Sequence, residues 1–121
     1  IRGMRIPKGV VVFEVNGPFF FGAADKFKST LNMVRKKPRV LVLRMRNVLS
    51  LDATGLRALE DVCAKARKDG TAVVLAGVHM QPLVVMKQSG FADTVGVDNM
   101  ATSMDVAMRR AEAIIAADER V

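Results

Sequence analysis

Asn47-Val48-Leu49-Ser50-Leu51-Asp52-Ala53-Thr54-Gly55-Leu56 is the stretch whose reading decides the fold. Before it, Val40-Leu41-Val42-Leu43 is a compact apolar run, the pattern of a strand covered on both faces. After it, Leu56, Leu59, Cys63 and Ala66 recur at helical spacing, while Arg57, Glu60, Asp61, Lys65 and Lys68 fall elsewhere. The stretch is therefore a strand-to-helix junction. Its loop spans Arg46 to Leu51, and Asp52 starts a helix that runs to about Lys68. Gly70 suits the turn that ends this helix.

Downstream, Thr71 to Val78 reads as another buried strand, centred on Val73-Val74-Leu75-Ala76. Gln81 to Gln88 reads as a short helix with Pro82 in its first turn, ended by Ser89-Gly90. A last short strand is expected near Thr94-Val95-Gly96-Val97. Thr102-Ser103-Met104-Asp105 fits a capping box. The helix behind it lines up Met104, Met108, Ala111 and Ile115, and its tail from Asp118 to Val121 is expected to fray.

Upstream, Arg2 to Ile6 suits an edge strand stopped by Pro7, and Val10 to Val15 a strand. Asn16-Gly17-Pro18 signals a turn. In Phe19-Phe20-Phe21, three consecutive aromatics cannot share one face, because neighbouring side chains diverge. They read as a strand covered on both sides or as an apolar contact for a partner. Gly22 to Lys37 has a helical stripe of Ala23, Phe27, Leu31 and Val34, with Arg35, Lys36 and Lys37 at its end and Pro38 as its stop. Strands and helices thus alternate through 121 residues. The expected fold is one α/β domain over 1–121, with a mainly parallel central sheet flanked by about four α-helices.

Composition narrows the chemistry. Cys63 is the only cysteine, so no internal disulfide forms, and it lies on an apolar helix face, as a buried thiol would. His79 is the only histidine, which argues against a zinc site or a Ser-His-Asp triad and leaves it as an isolated surface donor. The net charge is +7 and uneven: before position 50 only Glu14 and Asp25 oppose the Lys and Arg residues. That excess reads either as a solvated face or as a surface for an anionic neighbour. Nucleic acid is not expected, because the chain has no Trp or Tyr to build a stacking platform.

In open α/β sheets ligands gather beyond the carboxyl ends of the strands, where the 46–51 loop falls and the 16–21 loop opens on the same side. Asp52 can cap the helix by accepting a backbone N–H near Thr54 or Gly55. The same helix end, with the Thr54 hydroxyl and the bare Gly55 backbone, could receive a phosphate. The stretch lacks the lysine and glycine spacing of a P-loop, and no paired carboxylates or activated nucleophile stand near it.

Residues 48–59, Val-Leu-Ser-Leu-Asp-Ala-Thr-Gly-Leu-Arg-Ala-Leu, resemble the signature of the STAS domain, the family named for sulphate transporters and anti-sigma factor antagonists. The resemblance covers essentially the whole chain. Val-Asn-Gly-Pro-Phe-Phe-Phe-Gly-Ala-Ala-Asp-Lys-Phe at 15–27 is most similar to the SulP anion-transporter branch, whose STAS domain follows the membrane helices on the cytoplasmic side. It implies a non-catalytic regulatory domain of a sulphate-like anion transporter, cut from a longer chain, on the cytoplasmic side of the plasma membrane. The alternative it implies is a free-standing anti-sigma factor antagonist switched by phosphorylation. In that branch the phosphorylated hydroxyl precedes the glycine. Here that residue is Thr54, with Asp52 matching the motif's acid and Ala53 unable to accept phosphate. The implied nucleotide, phosphate or partner face comprises Asp52, Ala53, Thr54, Gly55, Asn16, Gly17 and Phe19. No cofactor or metal is expected, apart from weak GTP or ATP binding. The implied partners are the transmembrane domain of the same transporter, a cytosolic regulatory protein, an anionic membrane surface, and a second copy brought by the full-length transporter.

Overall fold

The computed structural model describes residues 5–16 and 37–119. Residues 22–36 of the helix expected over 22–37, the aromatic triplet and the site positions Gly17 and Phe19 lie outside the described residues, as do most of the 2–6 strand and the last two residues; Lys37 is described and is not helical. Where the 2–6 strand is described, at Arg5 and Ile6, the chain is irregular.

Among the described residues four parallel strands form one sheet in the order β1 (Val10–Asn16), β2 (Val40–Asn47), β3 (Ala72–Ala76), β4 (Met100–Ala101). Four α-helices accompany them among the described residues: α1 (Ala53–Lys68), α2 (Met80–Ser89), the short α3 (Phe91–Val95) and α4 (Met104–Glu119). The alternation of strand and helix thus gives the parallel α/β sheet expected of it.

Strand periodicity splits the core in two. On one face, Val15, Leu41, Leu43, Met45 and Leu75 meet Leu59, Val62 and Cys63 of α1, Met86 of α2, and Phe91 and Val95 of α3. On the other, Val10, Val40, Val42, Val74 and Ala76 meet Met104, Ala107, Met108 and Ala111 of α4. The buried Thr71 hydroxyl donates to the Pro38 carbonyl at 2.7 Å, so its burial leaves no orphan group. Cys63 is buried and free, and burial pushes its thiol up to about 12, so it packs rather than reacts.

Three boundaries depart from the sequence reading. First, β2 runs past Leu43 to Asn47, because Met45 continues the buried face of Leu41 and Leu43. On the opposite face Arg44 and Arg46 pair with Glu14 of β1. Second, no strand forms at 94–97. Phe91 and Val95, four residues apart, both bury into the helix-covered core, which is a helical period. Gly96, at φ +93°, breaks the turn, a 3-10 turn covers Val97–Asn99, and the strand follows at Met100–Ala101. Third, α4 stays helical through Asp118 and Glu119. Arg39, just before β2, donates to the Ile115 carbonyl at 3.4 Å and to Asp118 at 3.3 Å, holding the end of α4. The cap of α4 is also shifted by one residue. Ser103 Oγ accepts from the Val106 N–H at 3.3 Å, in place of a Thr102–Asp105 box.

Candidate functional site

The parallel sheet places the ends of β1 and β2 and the start of α1 along one edge. β2 ends at Asn47, and residues 48–52 carry the chain into α1. Val48 turns inward and is buried; Leu49 points out and is 70% exposed; Leu51 turns back into the core. Asp52 is the N-cap, and its Oδ1 accepts from the Gly55 N–H at 2.8 Å. That bond satisfies one of the orphan donors of the first turn.

Ala53 and Thr54 are exposed on this turn. The Thr54 hydroxyl has no hydrogen-bond partner among the described residues. The first turn of α1 carries no acidic side chain, and Asp52, its cap, answers the partial positive charge of its end. Gly55 sits close over Leu51: a Cβ there would lie 3.0 Å from Leu51 Cδ1 and 3.4 Å from Asp52 Oδ1. The glycine therefore serves internal packing as much as any approach from outside. Asp52, Ala53 and Thr54 are thus exposed at the start of α1 with Gly55 half-buried behind them, and Asp52 caps the helix as its sequence predicts.

Asn16 lies at the same edge, but its bond goes elsewhere. Asn47 Nδ2 donates to Asn16 Oδ1 at 3.1 Å and to Glu14 Oε1 at 2.8 Å. Arg46 donates to Glu14 through Nε at 2.7 Å, and Arg44 stands 3.9 Å away. The Arg46 hydrogen bond holds the Glu14 carboxyl below its ordinary value, against some opposing desolvation. This network fixes the β1 and β2 ends side by side, so Asn16 acts through Asn47 rather than on the α1 turn. Gly17 and Phe19, the other residues assigned to this face, lie outside the described residues.

Two residues that the motif does not include hold the loop. Gln81 grips Leu51 at both backbone groups: Leu51 N–H donates to Oε1 at 2.7 Å, and Nε2 donates to the Leu51 carbonyl at 3.3 Å. His79 donates from Nε2 to the Arg46 carbonyl at 2.7 Å, which is the donor role left to it by the sequence. The beginning of α2 is therefore built into the site. Its Met80 is 74% exposed, and Val84, one turn further, is exposed as well. The only sequence hint was Gln81-Pro82 at a helix start, which places polar groups at a sheet edge without naming their target. Among the described residues no group of His, Cys, Asp and Glu could hold a metal ion.

The comparisons with known proteins agree with this architecture. The family model described as "STAS domain" matches residues 3–107. A Bacillus subtilis (strain 168) protein named "Putative sulfate transporter YvdB" is 27% identical over 97 residues, which are 79% of this chain and 18% of that protein. The chain thus spans less than a fifth of that relative. The crystal structure of a sulfate transporter family protein from Wolinella succinogenes is 35% identical with a TM-score of 0.86, covering 95% of this chain and 94% of that one. The SulP transporter STAS domain from Vibrio cholerae is 28% identical with a TM-score of 0.87, covering 93% and 88% respectively.

Proposed function

The chain belongs to the STAS domain family, and from that premise we propose that it is a non-catalytic regulatory domain of a SulP-type transporter of a sulphate-like anion. The observation that carries the reading is the exposed, acid-free first turn of α1, with a free hydroxyl at Thr54, on a fold shared with SulP transporter domains. In this reading the Asp52–Gly55 turn, with Leu49 and Met80 beside it in the chain and in the loop clamp, presents a docking surface. Its partners are the transmembrane part of the same transporter and a cytosolic regulatory protein. Described helices of this chain are too short or too polar to cross a membrane, so the spanning part would lie elsewhere in the protein.

Phosphate on Thr54 would add about −1.5 to −2 charges at a helix N-terminus and change that surface. A weakly bound nucleotide would use the same turn through its phosphates. The basic excess suits the anionic cytoplasmic leaflet, where each cation near the lipid is worth about 1 kcal/mol. Transporter domains among the relatives favour this reading over a free-standing anti-sigma factor antagonist. Deleting residues 1–121 from the full-length protein is expected to alter anion uptake, its regulation or delivery to the membrane. Unchanged behaviour in all three would refute the proposal. Calorimetry with GTP and ATP tests the nucleotide: binding lost in Thr54→Ala and Asp52→Ala supports it, and silence at millimolar ligand removes it.

A further inference from the structure

Leu51 is the pivot of the site. Its side chain is buried beneath Gly55, and the residue after it supplies the α1 cap. Its backbone is held at both polar groups by a single side chain, Gln81. Five residues earlier the Arg46 carbonyl accepts from His79. The end of β2 and the loop after it are thus each tied to the start of α2, and that start exposes Met80 and Val84.

We propose that Gln81 is a positioning residue that couples the Thr54 turn of α1 to the exposed start of α2, so that negative charge arriving at Thr54 is registered at Met80–Val84. The inference rests on the docking role proposed above. The physical route is short. An anionic group at Thr54 competes with Asp52 for the first-turn N–H groups and repels its carboxylate. A displaced Asp52 shifts the backbone of Leu51. Leu51 cannot slide freely, because its side chain is packed and Gln81 holds both its N–H and its carbonyl. The displacement therefore passes into the first turn of α2 along bonded groups.

Amide NMR on the 121-residue chain tests this. Thr54→Glu serves as the charge, and Gln81→Met removes both clamp bonds while keeping the length of the side chain. In the otherwise natural chain, Thr54→Glu is expected to shift the Met80, Leu83 and Val84 amides and to speed exchange of the Leu51 amide about tenfold. In the Gln81→Met background the same charge is expected to move only the amides near Asp52–Leu56. The Leu41 and Leu43 amides, in the middle of the sheet, report that each variant is folded. A merely structural Gln81 would lower stability on replacement and leave the transmitted shifts intact. Met80, Leu83 and Val84 amides that ignore Thr54→Glu, or that respond equally without Gln81, overturn the proposal. Failure of the docking reading shows instead in uptake by the full-length protein, which these spectra do not involve.

Discussion

α1 and α4 both start at the carboxyl edge of the sheet, one after β2 and the other after β4, and they start differently. α4 follows its strand after only Thr102 and Ser103. Its first residue, Met104, is buried, and Asp105 places an acid in the first turn. An acid there is worth about 0.3–1 kcal/mol against the helix dipole. α1 follows its strand after the longer 48–52 loop. Its first turn is acid-free, Ala53 and Thr54 are exposed, and a side chain from another helix is spent on holding its approach. A junction that serves folding alone is adequately built as in α4. The loop gives Val48 and Leu51 to the core, whereas the Ala53 and Thr54 side chains of the turn that follows stay outside it.

The comparison breaks most visibly at the two buried side chains that seat these junctions. Leu51→Ala and Met104→Ala are each expected to cost about 2–5 kcal/mol in urea unfolding, by lost burial and the cavity left behind. The Leu51 variant should in addition lose protection at the Gly55 amide. If Leu51→Ala costs less than about 1 kcal/mol, the loop is not seated as described.

The caps come next. Asp52→Ala is expected to cost about 1 kcal/mol, since it removes a 2.8 Å bond from a carboxylate. Ser103→Ala should cost less, because its neutral hydroxyl accepts the Val106 N–H at a longer 3.3 Å and Asp105 remains in the turn. Equal costs would remove the distinction between the two starts. A smaller effect belongs to the strand end feeding α1. The Glu14 carboxyl is held below its ordinary value of 4.5, so its contribution is present above pH 4.5 and disappears as pH falls through the lowered value. Arg46 is largely exposed, so the pair is worth at most about 1 kcal/mol. Glu14→Gln should flatten that part of the acid limb of a stability-against-pH curve. An unchanged limb would assign it to other carboxylates.

Thr54→Ala is expected to do least, within about 0.5 kcal/mol of the natural chain, since the hydroxyl has no partner to lose. A larger loss would make Thr54 a structural residue and align α1 with α4.

How much of this was legible in the sequence follows from the range of each interaction. Asp52 as a cap and the Gly90 stop of α2 were readable because both depend on neighbours within a few residues. The buried faces of β2 and β3 were readable from their apolar runs. The end of β2 was not, because Arg44 and Arg46 look like loop residues until Glu14, on the adjacent strand, is seen to receive them. The short strand at Met100–Ala101 was misplaced to 94–97. Val95 and Val97 favour strands locally, but Val95 is claimed by the core at a helical spacing from Phe91. At the site, the Asp52–Gly55 turn was legible as a motif. The Gln81 clamp was not, since it joins residues 30 positions apart and no local pattern announces it.

Anion uptake by the full-length protein carrying Thr54→Glu, normalised to the amount in the membrane, tests the central claim most directly. The account predicts an altered uptake rate at an unaltered amount, with Thr54→Ala leaving stability intact and removing any phosphate-dependent change. Uptake identical to that of the natural protein in both variants, with the domain folded, would contradict it.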